Sequence, residues 1–163
     1  MTTTSVSITR EDHDSIRDEL AELVELHQEA FPEVEGIGDL DDLEGEPLVL
    51  VAWDAERRPI GYVVASVPDV GEVDLWEHLV HPDHRHRGLG RRLLHELACA
   101  CDPGAGLRLD PAGQRDPDRE VDYYRACGFE RRDATGHLWA TAAAVRAATA
   151  TATDPRPGAT GPG

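Results

Sequence analysis

The stretch Val80-His81-Pro82-Asp83-His84-Arg85-His86-Arg87-Gly88-Leu89-Gly90-Arg91-Arg92 decides how this chain is read. It follows Glu72–Val80, an apolar-rich run that suits a strand ended by His81-Pro82. It leads into Leu89, Leu93, Leu94 and Leu97, spaced for the inner face of a helix over Gly88–Cys101. The segment is therefore a strand-to-helix junction with glycines at its bend. Gly88 and Gly90 let the backbone adopt left-handed angles and approach a ligand. The first N–H groups of the helix lack intrahelical partners and, with the helix dipole, favour an anion. Arg85, Arg87, Arg91 and Arg92 surround that point, and the planar guanidinium fork suits a diphosphate. The pattern is not a Walker loop, which needs Gly-Lys-Ser/Thr, and the chain contains no Lys. Nor is it the dinucleotide fingerprint G-x-G-x-x-G.

Outward from the junction, the periodicity predicts a mixed α/β sheet. Ser5–Arg10 reads as a short strand. Thr9 and Asp12 form a capping-box pattern ahead of a helix carrying Ile16, Leu20, Leu23, Val24, His27 and Phe31, stopped by Pro32. Gly36–Glu46 is an acidic loop or short helix. Pro47–Asp54 and Ile60–Val67 form an apolar hairpin about Arg57-Arg58-Pro59. Leu107 and Leu109 fit a short strand. Asp118–Cys127 is a helix stopped by Gly128, and Phe129–Arg132 and His137–Trp139 are closing strands. From Ala140 onward Ala and Thr, then Pro and Gly, dominate. Residues 1–139 are accordingly expected to be the folded domain and 140–163 a disordered tail.

The 163 residues make one domain's worth of chain, and the net charge is -16. Of the charged residues only Arg146, Asp154 and Arg156 lie beyond Trp139, so the acidity belongs to the domain. Such a surface repels phosphate backbones and anionic membranes, which argues against nucleic-acid or membrane partners, and it attracts cations. The start of the chain lacks the pattern of a signal peptide, and no run is long enough to cross a bilayer. Cys99, Cys101 and Cys127 then read as reduced thiols in a cytoplasmic protein, with burial in the core their expected role.

The pattern Arg85-x-x-Gly88-x-Gly90 on this junction resembles the acetyl-CoA-binding motif of the GNAT N-acetyltransferase superfamily. Tyr124-Arg-Ala-Cys-Gly128-Phe129 is similar to that family's Tyr-x-x-x-Gly-Phe signature, and the element order agrees over residues 5–140. The resemblance implies a central mixed sheet of about six or seven strands flanked by about four helices, with CoA between splayed strands. It implies that backbone N–H groups of Arg87, Gly88, Leu89, Gly90, Arg91 and Arg92 hold the CoA pyrophosphate, with Arg85 at the Gln/Arg position. Leu79 and Val80 would pair with the pantetheine arm, and Leu107–Asp110 would be the strand that splays away. Many members carry Asn seven residues before the tyrosine, where this chain has Pro117. The resemblance admits a homodimer.

The implied function is acetyl transfer from acetyl-CoA to a primary amine of a small molecule or protein, by direct attack in a ternary complex and without a metal. The amine, with a pKa of about 10, must lose a proton before it attacks. A carboxylate or a water chain can take that proton. The oxyanion needs a donor, the Leu79 or Val80 N–H. The leaving thiolate, with a pKa of about 8.5, needs an acid, Tyr124, while Tyr123 is read as packing. Strand alternation puts Asp74, Trp76, His78 and Val80 on one face and Leu75, Glu77 and Leu79 on the other. Asp74 stands six residues before Val80, where some members place a catalytic Glu; Glu77 and His78 are its rivals as base. Two other readings compete. One is a GNAT domain that binds acyl-CoA without turnover. The other is a metal module built on His78, His81, His84 and His86. The acidic loop Glu33–Glu46 is read as either a solvated loop or a surface that steers a cationic acceptor.

Overall fold

The structure is a computed structural model that describes residues 5–12, 23, 25, 26, 28, 29, 43–111, 117–131, 134 and 136–152. Among the described residues, seven strands form one sheet in the order β1-β2-β3-β4-β5-β7-β6. They are β1 (Ser7–Glu11), β2 (Glu46–Trp53), β3 (Pro59–Val67), β4 (Val73–Val80), β5 (Gly106–Leu109), β6 (Glu130–Arg131) and β7 (Leu138–Thr141). The helices whose full range is described are α1 (Leu89–Ala100), α2 (Pro117–Ala126) and α3 (Ala142–Thr149). β1 to β4 pair antiparallel, β4 pairs β5 in parallel, and β7 runs antiparallel to both β5 and β6. The sheet is therefore mixed, as expected.

β2 from Leu48 and β3 from Ile60 to Ala65 carry no charged residue because both faces of the sheet are covered. On one face Leu48, Leu50, Ile60, Val63 and Ala65 pack with Leu89, Leu93, Leu94 and Leu97 of α1, Val121 and Tyr124 of α2, and Val145 of α3. On the other, Val49, Val51, Trp53, Tyr62, Val64 and Leu79 pack against Leu23 and Leu26. Leu23, Glu25, Leu26, Gln28 and Glu29 are helical. The rest of the first expected helix, most of the acidic loop and residues 153–163 lie outside the described residues.

Three expectations need correction. The folded domain does not stop at residue 139. Its last strand runs to Thr141, and α3 buries Ala142, Val145 and Thr149. The small side chains that read as tail composition are what let α3 lie close against α1. Thr141 caps α3 by accepting from the Ala144 N–H at 3.1 Å, and Arg146 donates to the carbonyls of Ala98 and Cys101 at 2.9 and 2.6 Å. Those bonds satisfy acceptors that the C-terminus of α1 leaves open. Second, the cysteines are all free, but only Cys127 is buried; Cys99 is exposed. The third correction concerns β4 and follows below. No helix among the described residues is long and apolar enough to cross a membrane.

Candidate active site

β4 does not alternate regularly. Ala65 stands opposite Leu75 but Val64 opposite Glu77, so Trp76 is an extra residue in the ladder, a β-bulge. The bulge shifts the register by one and reverses the faces beyond it. Leu75 and His78 both face α1 and α2, whereas Asp74 and Glu77 both face the other way. The expected grouping of Asp74 with His78, and of Leu75 with Glu77, is therefore wrong. Trp76 remains 56 % exposed, held by its indole N–H on the Ser66 hydroxyl at 3.0 Å.

The parallel ladder between β4 and β5 covers only Val73–Leu75 against Leu107–Leu109. Beyond it β4 continues for five residues, Trp76 to Val80, without β5 beside it. This leaves a forked sheet with an open edge on β4. On its other edge the His81 N–H donates to the Ile60 carbonyl at 2.9 Å. Antiparallel pairing alternates, so Leu79 turns its backbone groups toward Tyr62 and Val80 turns its own away from β3 into the fork. Of the two residues expected to offer their backbones there, the geometry leaves Val80.

The loop after β4 starts with a 3-10 turn, Pro82–His84. His86 and Gly88 then take left-handed angles, φ 60° and 78°. Gly88 is the N-cap of α1, and a side chain there would meet open space. The Arg92 N–H closes the first helical hydrogen bond, to the Gly88 carbonyl at 3.0 Å. The N–H groups of Leu89, Gly90 and Arg91 precede that ladder. Gly90 serves another purpose than the sequence suggests. A Cβ on it would lie 2.6 Å from the Tyr123 hydroxyl and 3.4 Å from the His78 ring, so it is glycine because α2 and β4 pack against it.

The arginines divide. Arg85 Nε donates to the Val80 carbonyl at 3.0 Å, Arg91 to the Ala126 carbonyl at 3.1 Å, and Arg92 to the Val6 carbonyl at 3.4 Å. Each braces the loop or α1 against a neighbouring element. Arg87 is exposed and has no side-chain partner among the described residues.

On the helix-covered face of β4, along its stretch without β5, His78 meets Tyr123 and Tyr124. The Tyr124 hydroxyl is 3.1 Å from His78 Nδ1, and His78 Nε2 is 3.0 Å from the Gly90 carbonyl oxygen. Burial lowers the His78 pKa to about 4, so the ring is neutral at pH 7. Both of its ring nitrogens are already engaged, Nδ1 with the Tyr124 hydroxyl and Nε2 with the Gly90 carbonyl. Burial also pushes the Tyr124 phenol well above its ordinary value, so it keeps its proton. The Tyr124 ring meets Tyr123 and Phe129 edge-on, at 5.2 and 5.7 Å between centroids. Burial pushes the Cys127 thiol up, while the neighbouring Arg91 and Tyr123 side chains pull it back.

The carboxylates are separated. Asp74 is locked by Arg108, whose Nε and Nη2 both lie 2.7 Å from one carboxylate oxygen. It stands where β4 is still paired with β5, ahead of the fork. Glu77 is at the fork, on the face opposite His78, and accepts from the Tyr62 hydroxyl at 2.7 Å. The sequence brings Asp74, Glu77 and His78 together as rivals; the bulge and the ion pair separate them. The other histidines do not converge. His81 contacts Glu29 at 3.2 Å and stacks edge-on with His84, and among the described residues no group of three or more His, Cys, Asp or Glu could hold a metal. The His78–Tyr124 bond was missed in the sequence, because only the bulge turns position 78 toward α2.

Comparison with known proteins places this geometry. A profile described as Acetyltransferase (GNAT) domain matches residues 45–131. No curated protein matches the sequence. Among solved structures, the Escherichia coli GNAT family N-acetyltransferase YhbS in complex with CoA superposes with a TM-score of 0.61. It is 20% identical, over 89% of this chain and 87% of that one. The PaiA N-acetyltransferase of Thermoplasma acidophilum in complex with coenzyme A gives 0.61 at 17% identity, over 84% and 99%. The aminoglycoside 6'-N-acetyltransferase of Enterococcus faecium gives 0.62 at 16%, over 83% and 97%. At these identities the likeness is one of fold.

Proposed function

Because this chain belongs to the GNAT acetyltransferase family, we propose that it moves an acetyl group from acetyl-CoA to a primary amine by direct attack in a ternary complex. The observation that carries the reading is the fork in the sheet, with the start of α1 at the end of the same strand. The residues present fit a CoA-type donor. The unladdered N–H groups of Leu89, Gly90 and Arg91 and the Arg87 guanidinium suit a pyrophosphate, and Gly88 leaves room for it. The free edge of β4 suits the amide groups of an extended pantetheine arm, as an added strand would be held.

The chain's own residues then divide the chemistry. Glu77, on the face of β4 away from Tyr124, takes the proton that the ammonium must lose, directly or through water. The Val80 N–H, aimed into the fork, stabilises charge on the thioester oxygen. Tyr124 retains its proton and donates to the leaving thiolate. Asp74, held by Arg108, takes no part. The net charge of -16 draws cationic amines, and three free thiols suit a reducing cytoplasm.

The test is a thermal-shift titration with acetyl-CoA and CoA, followed by thiol release with a panel of amines. Acetyl-CoA at about 100 times its Kd adds about 2.7 kcal/mol and raises Tm by several degrees. Tyr124→Phe is expected to lower kcat about 100-fold and leave the acetyl-CoA Kd within about twofold. No shift with either nucleotide would overturn the reading, and equal losses in kcat and affinity would make Tyr124 structural.

A further inference from the structure

The mechanism above gives His78 nothing to do, yet both its nitrogens are engaged. The partner of Nε2 is the Gly90 carbonyl, which only accepts. Nε2 therefore carries the ring's hydrogen, Nδ1 carries a lone pair, and the Tyr124 hydroxyl donates to Nδ1. In the resting site the phenol proton points at His78 and not into the fork. The groups around this ring are Tyr123 and Tyr124 from α2 at 6.1 and 5.9 Å between centroids, with Cys127 and Arg91 beyond Tyr123.

We propose that His78 is a positioning residue for Tyr124: its neutral ring, anchored on the Gly90 carbonyl, holds the phenol proton in the resting site and yields it when a thiolate forms. This rests on the acetyltransferase reading. A hydroxyl rotates to suit its best acceptor, and a thiolate, being charged, outcompetes a neutral ring nitrogen. As the bond from nitrogen to the acetyl carbon forms, the bond from that carbon to sulfur breaks with its electron pair on sulfur. The Tyr124 proton turns from Nδ1 to that sulfur. Glu77, having passed the ammonium's proton to solvent before the attack, takes the second proton from the attacking nitrogen and releases it in turn; the phenolate recovers one from solvent, so each turnover releases one proton. Gly90 lies in the first turn of α1, whose N–H groups suit the pyrophosphate. One rigid element thus sets both the donor's seat and the direction of the acid.

The experiment compares His78→Phe, which fills the ring volume without either bond, with His78→Asn, which keeps an acceptor near the Nδ1 position. Both are made alone and with Tyr124→Phe, and kcat for thiol release and the acetyl-CoA Kd are measured. His78→Phe is expected to lower kcat about tenfold with Kd within about twofold. His78→Asn should recover much of that loss, and neither should cost anything further in the Tyr124→Phe background. Losses that multiply in the double variants, or a Kd that rises as kcat falls, would overturn the proposal. Should His78→Phe fail to fold, imidazole nitrogen NMR of the unsubstituted protein and of Tyr124→Phe decides. The ring should carry its hydrogen on Nε2, and loss of the phenol hydroxyl should move the Nδ1 resonance. Hydrogen on Nδ1, or an unmoved resonance, refutes the assignment. A wild-type protein inert toward every amine sinks the acetyltransferase reading; a full-speed His78→Phe enzyme sinks only the role of His78.

Discussion

At position 90 the added Cβ of an alanine would press on the Tyr123 hydroxyl from 2.6 Å. Gly90→Ala is therefore expected to destabilise the domain by about 1–3 kcal/mol, an overpacking cost read as a lower Tm. Tyr123→Phe in the same chain removes the offending oxygen and should restore part of the loss. If Tyr123→Phe adds its own loss instead, the contact is not what excludes a side chain. His78 contributes a pH dependence whose sign is fixed. Its ordinary pKa is 6.5 and its folded value about 4, so between these the unfolded chain binds more protons. Stability then falls as pH drops from 6.5 toward 4, and the contribution levels off below. Denaturation of wild type and His78→Phe across that range checks it: the difference between their stabilities should change with pH from 6.5 to 4 and be flat above. The sequence could show that position 78 is a histidine near the loop. It could not show that its partner is Tyr124, because that depends on how α2 crosses the sheet.

The elements that build the site are β4 and the start of α1. Gly88 tests the second. Its φ of 78° strains other residues, by roughly 1–2 kcal/mol, but a side chain there meets open space. Gly88→Asp should therefore leave a folded protein with Tm lowered by only a few degrees. A carboxylate facing the unladdered N–H groups should weaken acetyl-CoA binding more than tenfold. Unchanged affinity by calorimetry would remove the pyrophosphate from this helix end. The junction itself was legible, since an apolar run, a glycine bend and a leucine periodicity are local signals. The bulge was not. A strand with an extra residue has the same composition as a regular one, and only the partner strand shows which residue is unpaired.

For the whole molecule, the boundary at the C-terminal side has the largest consequence. Ending the chain after Trp139 would remove α3 and the end of β7, exposing the side of α1 that packs against α3. Ending it after Ala152 would keep them. The first truncation is expected to unfold or to lose the cooperative melt, the second to melt with the full chain. A stable chain ending at 139 would show that α3 is an ornament. Charge acts at the same scale: the acidity is a bias toward cationic acceptors and selects no single one.

Sequence alone determined the class of the fold, the order of its central elements and the junction that carries the family pattern. Those depend on periodicity and on glycine and proline chemistry, which act over a few residues. Tertiary structure decided which face each β4 residue occupies, that Leu79 turns its backbone to β3, that Arg85, Arg91 and Arg92 brace carbonyls, and that Asp74 is held by Arg108. It also decided that the alanine-rich segment after Trp139 is a packed helix. Each of these depends on a partner far along the chain, and burial and pairing, unlike propensity, belong to both partners at once.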